Sequence, residues 1–495
     1  MSFRMKTGIS ICLGTIFYLA GGLLAPMGAL GQGETTSAIV GEVSDASGAG
    51  VPGAGVTAVN TATGLRRSAT TDESGRFSFT QLLPGTYVVK VEAEGFEAQE
   101  NDAVAAGLGQ KQTVNFTLQV ARAKESIEVR GDAAILNPEN ATTATTLNAK
   151  SLENLPNPGG DLTYPLQFAP GALINTAGSG NDFVGGTNGY GNVEFNGLPA
   201  LSNGYIVDGL ETNDPLTNLN SGLSTNLVLG LNSIAEVTVN TLSYSVDQGR
   251  YGASQVNYVT KSGSNQFHGN LYELWNGSRF NAADFFTNAT PGNHKPRSTV
   301  NHFGGSLGGP IVRDKLFFFF DSEWVRIALP IVTEATVPTP GFQSFVLQQL
   351  GTGQITGCAP GSCYAAAPAL VPFYKRMFSL YGSTDGTPLA VLGCPFDAGG
   401  GAAAIANDGN GCANRQSVSH SSDDHEQVQT VRIDYNINEK DTTWYRFQTD
   451  NGLQAAYTDP INPLFDAISP QPLYSFAAGY THVFSQNLVN YFNPA

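Results

Sequence analysis

Few residues in this sequence have the types and spacing that chemistry requires. The six histidines are His268, His294, His302, His420, His425 and His482, and only His425 stands among acidic residues, in Asp423-Asp424-His425-Glu426. That cluster could ligate a metal or move a proton. Placed where a long polar stretch runs into a strand, it reads as a solvated acidic patch. No GxSxG, HExxH or P-loop pattern occurs. The glycine-rich stretch 171–191 has Gly178-Ser179-Gly180 and Gly185-Gly186 but no lysine and no helical period after it, so it lacks what a phosphate cradle needs. Asp208 has no neighbouring histidine or lysine and reads as a turn residue. We therefore expect no catalytic residue, no cofactor, no metal and no enzyme.

The elements that must position such residues are read from composition first. Charged side chains make up 13% of the 495 residues, against roughly 25% in an average soluble protein. Glycine accounts for 58 positions, well above the usual share of roughly 7%. Aromatics are held at 10%, which argues against disorder. The formal charge of −16 argues against nucleic acid, whose phosphates need a basic face. No apolar run past the N-terminus is long enough for a membrane-spanning helix. The class is mainly β, with many Gly and Asn turns.

Residues 1–31 read as a signal peptide. Arg4 and Lys6 precede an apolar run, and Ala29-Leu30-Gly31 supplies small residues before Gln32. A membrane anchor is the competing reading. Export would leave Cys358, Cys363, Cys394 and Cys412, close together in an oxidising compartment, which favours disulfides of any of three connectivities. A zinc site competes with that reading, although the CxxC pairs of common zinc ribbons are absent.

Residues 34–120 show short strands at regular spacing, broken by Gly, Pro and Asp turns, as in a small β-sandwich. The ordered string G-x-V-x-D, V-P-G-A-x-V, T-D-x-x-G-x-F, L-x-P-G-x-Y-x-V and G-F resembles the carboxypeptidase regulatory-like domain. The resemblance implies a transthyretin-like accessory fold without peptidase chemistry. Its role is left open between a periplasmic spacer and a carbohydrate-binding face.

Residues 121–262 begin with Glu125-Ser126-Ile127-Glu128-Val129, which alternates polar and apolar side chains and could be captured by β-augmentation. Further on come Tyr205-Ile206-Val207-Asp208-Gly209, the strand 234–239, and Gly249-Arg250-Tyr251-Gly252 followed by 253–269. Together these pieces resemble the α+β plug of TonB-dependent outer-membrane receptors. The resemblance gives Tyr205, Asp208, Gly209, Arg250, Tyr251 and Gly252 structural roles. It also implies that Glu125 to Val129 is the strand TonB contacts; an interdomain linker strand is the alternative.

Residues 263–495 carry alternating strands, such as 431–437, with tight turns at 310–314 and 438–441 and a long extracellular loop over 327–425 that holds all four cysteines. Period alone cannot separate a soluble sheet from a membrane barrel. About seven strands are expected, against roughly 22 in plugged transporters. The expectation is thus an incomplete antiparallel transmembrane β-barrel, in a chain forming the N-terminal part of a longer one. The whole resembles the Oar-like branch of TonB-dependent transporters. That implies the outer membrane of a Gram-negative bacterium, a periplasmic sandwich, contact with lipid, TonB as partner, and uptake of an unknown extracellular ligand such as an iron chelate, a peptide or an oligosaccharide. An adhesion or carbohydrate-binding protein without transport, or a non-functional truncated product, are the alternatives.

Overall fold

The computed structural model describes residues 36–120, 143–155, 164–174, 193–213, 230–242, 251–280, 282, 285, 298–352, 367–380, 387–392, 413–457, 459, 461–485 and 488–493. The first unit is a two-layer sandwich. Its strands are β1 (Ser37–Asp45), β2 (Gly55–Asn60), β3 (Arg66–Thr70), β4 (Arg76–Leu82), β5 (Gly85–Glu92), β6 (Gln99–Ala106), β7 (Lys111–Thr113) and β8 (Phe116–Leu118). One sheet runs β3-β2-β5-β6 and the other β4-β1-β7, with β8 also on β1. Alternate residues of each strand point into a core that includes Ile39, Val43, Val56, Phe77, Phe79, Tyr87, Val89 and Leu118. The Tyr87 hydroxyl donates to the Leu83 carbonyl at 2.8 Å, and burial pushes its pKa up to about 12.

The second unit takes the place expected of the plug and is called by that name. It has β9 (Thr143–Asn148), a short helix α1 (Ala149–Asn154), the hairpin β10 (Ala172–Ile174) and β11 (Val193–Phe195), then β12 (Asn203–Val207), β13 (Leu210–Glu211), β14 (Ile234–Leu242) and β15 (Ser254–Thr260). The main sheet has the order β13-β12-β15-β14-β9. β12 and β15 run parallel, and both are buried along their whole length. Burial on both faces leaves polar residues such as Asn203, Ser254, Gln255 and Asn257 inside as well as the apolar ones. The helical pieces of this unit include α1 and a 3₁₀ turn, Tyr164–Phe168.

The third unit is one antiparallel sheet. It comprises β16 (His268–Gly277), β17 (Thr299–Val312), β18 (Leu316–Pro338), β19 (Thr387–Leu392), β20 (Ala413–Asn436), β21 (Asp441–Tyr457), β22 (Ala467–Ser485) and β23 (Leu488–Phe492). The order is β16-β17-β18-β20-β21-β22-β23, with β19 added beside β20, and the barrel is not closed. The expected loop over 327–425 needs correction. β18 and β20 stay paired in unbroken register from Leu316↔Tyr435 to Pro338↔Ala413. Between them lie α2 (Pro340–Thr352) and α3 (Val371–Ser379). Unbroken pairing satisfies backbone groups that a loop would leave to water, and polar side chains along 414–424 hid it from the sequence pattern.

Which face of this sheet is apolar settles what the period left open. Val431, Tyr435, Tyr445, Phe447, Tyr474 and Phe476 are exposed, while Thr430, Arg432, Asp434, Arg446, Gln448 and Asp450 are buried. A soluble sheet does the reverse. An apolar exterior around a polar lumen is the pattern of a membrane barrel. The plug sits against that polar face.

Candidate functional site

Among the described residues, the plug meets the barrel wall at two buried polar junctions. The first starts at the end of β12, where Asp208 (φ +49°) and Gly209 (φ +85°) turn the chain back into β13. Aspartate is among the few residues besides glycine that tolerate this left-handed region. The turn aims the Asp208 carboxylate at the end of β15. Oδ1 accepts the Thr260 N–H at 2.9 Å and Oδ2 accepts the Thr260 hydroxyl at 2.8 Å.

Two wall arginines converge on the same carboxylate. Arg432 Nη1 lies 3.2 Å from Oδ1 and donates to Thr260 Oγ1 at 2.8 Å. Its Nη2 donates to Asp434 at 2.9 Å, and its guanidinium lies over the Trp444 ring at 4.9 Å. Arg446 Nη1 forms an ion pair with Asp208 Oδ2 at 3.0 Å. Asn493 Nδ2 donates to the Asp208 carbonyl at 3.0 Å. Asp208, Arg432 and Arg446 are 2%, 3% and 1% exposed, so the charges are desolvated. They balance as two arginines against two aspartates. A buried pair of this kind adds little net stability when complete, but breaking it by removing one partner is costly.

In the second junction the acids belong to the wall. Asp321 and Glu323 of β18, both fully buried, accept from the 3₁₀ turn Leu231–Ser233 that precedes β14. Asn232 N–H donates to Glu323 Oε1 at 3.0 Å, Asn232 Nδ2 to Asp321 Oδ1 at 2.9 Å, and Ser233 Oγ to Asp321 Oδ2 at 2.6 Å. The other Glu323 oxygen lies 2.8 Å from His302 Nε2, which in turn lies 3.0 Å from the Tyr272 hydroxyl. Gly230 makes this close approach possible: a Cβ there would come within 1.8 Å of Glu323 Oε1.

The residues expected from sequence fall unevenly on this arrangement. Asp208 lies at its centre. Tyr205 is buried on β12 and donates its N–H to Asn213 Oδ1 at 2.7 Å. The Tyr251 ring packs on Gly204, and its hydroxyl donates to Glu211 at 2.5 Å. Gly252 is exposed beside it. Arg250, the strand Glu125 to Val129, and Cys358, Cys363, Cys394 and Cys412 lie outside the described residues. The acidic patch needs correction. Residues 423–426 are on β20, and Glu426 is 1% exposed on the lumen face, because the strand begins well before it and its alternation turns that side chain inward. The partners Arg432, Arg446, Asp321, Glu323 and His302 were missed as site residues. For Arg432 the signal was present, with Asp434 two residues on and both on the face opposite Val431 and Tyr435; Asp321 and Glu323 share their face with Phe317 and Phe319, which masked them.

Residues 38–119 match the model of the carboxypeptidase regulatory-like domain, and residues 259–494 that of the outer membrane beta barrel domain. The chain is similar to the TonB-dependent transporter Oar of Myxococcus xanthus, with 31% identity over 310 residues, 61% of this chain and 27% of the relative. It thus spans about a quarter of that relative's length. Among solved structures it resembles the outer membrane transporter YddB from Escherichia coli (TM-score 0.43, 12% identity, 69% of this chain and 37% of that one). It also resembles the ferric enterobactin receptor PfeA from Pseudomonas aeruginosa (TM-score 0.38, 11% identity, 69% and 38%). The barrel domain and the Oar homology place the chain in the outer membrane of a Gram-negative bacterium.

Proposed function

We propose, for a chain that is a homologue of the TonB-dependent transporter Oar and carries an outer membrane β-barrel domain, that the whole protein is an energy-coupled receptor. It takes up an extracellular ligand. TonB grips the strand Glu125 to Val129 from the periplasm and displaces the plug, and the ligand passes through the lumen. The observation that carries this reading is the Asp208–Arg432–Arg446 junction, which binds the plug to the wall through charges and hydrogen bonds rather than a packed apolar core. Such a junction holds only while its geometry is intact, because separated partners regain water as the plug moves.

Tyr205, Gly209, Tyr251 and Gly252 keep the turns around Asp208 in shape, and Arg250 belongs to the same motif. The four cysteines pair as disulfides on the external side. The sandwich lies in the periplasm and serves as a spacer. The ligand docks on external loops and the plug apex, and its class is open among iron chelates, peptides and oligosaccharides. Deleting residues 125–130 in the full-length protein should abolish uptake and leave ligand binding intact. Unchanged uptake, or loss of ligand binding, would reject the assignment of that strand. A protein that binds sugar surfaces but imports nothing would be an adhesin.

A further inference from the structure

Among the described residues, the sandwich is hydrogen-bonded to the other two units at three places. At the first, the β2–β3 turn is held rigid by Asn60, whose Oδ1 accepts the N–H groups of Ala62 and Thr63 at 2.9 and 3.0 Å. This fixes the Ala62 carbonyl, which accepts the Asn265 N–H at 2.9 Å. Asn265 is itself clamped to Asp314 in the β17–β18 turn, donating from Nδ2 at 2.7 Å and accepting the Asp314 N–H at 2.8 Å. Gly64 (φ +70°) faces the same aspartate so closely that a Cβ would come within 2.4 Å of Oδ1.

The second tie is Arg67, which is 6% exposed and reaches the Glu439 carbonyl in the β20–β21 turn at 3.4 Å. The third engages the plug. Leu108 N–H donates to Glu236 Oε1 on β14 at 2.7 Å, and Gln110 Nε2 to Thr146 Oγ1 on β9 at 3.4 Å. Thr146 in turn contacts Thr238 of β14 at 3.1 Å, so β9, β14 and the sandwich meet at one seam. Between these ties a cavity of about 40 Å³ is lined by Arg67 and Leu83 of the sandwich, Asp208 of the plug, and Arg432 and Trp444 of the wall. The sandwich therefore covers the side of the Asp208 junction that would otherwise open to the periplasm.

We propose that the sandwich is a clamp. Docked on two barrel turns and on the β9–β14 seam, it holds the plug seated and must let go before the plug can move. This goes beyond a spacer or sugar-binding role. It rests on the proposed plug movement, but it can be tested without TonB or ligand, so the two can fail separately.

The test uses the full-length protein in outer-membrane vesicles, carrying Ala62→Cys with Asn265→Cys. The 2.9 Å hydrogen bond from the Asn265 N–H to the Ala62 carbonyl puts the two backbones in direct contact, the proximity that a disulfide needs. Mass spectrometry should find the linked peptide after mild oxidation, and amide exchange in β9 and β14 should slow at least tenfold relative to the same sample after reduction. Arg67→Ala, without a cross-link, should accelerate exchange in the same strands. Absence of the linked peptide would overturn the docking. A linked protein whose plug exchanges as fast as the reduced one, or Arg67→Ala with exchange unchanged, would overturn the clamp.

Discussion

Asp208 of the plug and Arg432 of the barrel wall lie 3.2 Å apart, 2% and 3% exposed, and form the ion pair through which the two units share one buried charge cluster. The two residues are more than two hundred positions apart in sequence, and their contact joins a left-handed turn to a lumen-facing strand position. Replacing Asp208 by Asn keeps the shape and removes the charge. Arg446 would then lose its counter-charge while Arg432 kept only Asp434, and breaking a buried pair in this way costs about 3–5 kcal/mol. Trp444, stacked under Arg432, should report the loss as a lower urea midpoint in fluorescence. Adding Arg446→Met to Asp208→Asn should recover part of it. A midpoint equal to that of the unaltered protein would contradict the junction.

Gly230→Ala tests the second junction. The new methyl would have to occupy the position of Glu323 Oε1, so the turn or the wall side chain must shift. Overpacking of this kind costs about 1–3 kcal/mol. The Asn232 amide, which Glu323 protects, should exchange faster. Unchanged protection would mean that the plug does not approach β18 this closely.

Burial raises the pKa of Glu236 above its ordinary 4.5, and the Leu108 N–H offsets only part of that shift. The folded state therefore holds this proton more tightly than the unfolded chain. Its contribution to stability is fully present below 4.5 and is lost as pH rises through the folded pKa. Glu236→Gln keeps a carbonyl for Leu108 and removes the titration. Denaturation midpoints between pH 4.5 and 7.5 should fall more steeply in the unaltered protein than in Glu236→Gln. Parallel pH profiles would show that Glu236 is solvated.

The outward face should tolerate charge poorly. Phe447, 46% exposed beside Phe476 on the neighbouring strand, should cost about 2–4 kcal/mol as arginine if it lies near the bilayer midplane, falling toward zero near the interface. Heat-modifiable mobility of the full-length Phe447→Arg protein in outer-membrane fractions measures this. Assembly as efficient as in the unaltered protein, with residue 447 at the midplane, would contradict a lipid-facing role.

The strands of all three units were largely legible because their signals are local. Turns such as Asp72 to Gly75 and Asn438 to Asp441 punctuate them, and alternation such as 431–437 survives into β20. Edge strands were harder. Gln99–Ala106 and Arg66–Thr70 form the outer strands of one sandwich sheet, and both are polar because an edge has less apolar surface to bury. The stretch 413–424 of β20 escaped because its side chains are mostly polar. Asp208 could be singled out from its motif, but its partners could not. Nothing near Arg432 or Arg446 in sequence indicates which charge they will meet, since the pairing is set by how the plug seats. The same holds for Arg67 and Glu439, whose contact depends on the placement of whole units.

Energy coupling is tested most directly at Ile127, the middle of the strand assigned to TonB. A photo-reactive p-benzoylphenylalanine at residue 127 of the full-length protein, irradiated in living cells, should yield an adduct containing TonB. Scanning residues 125 to 129 should give adducts at alternate positions, as β-augmentation requires. Absence of a TonB adduct at all five positions, in protein assembled normally in the outer membrane, would contradict the assignment.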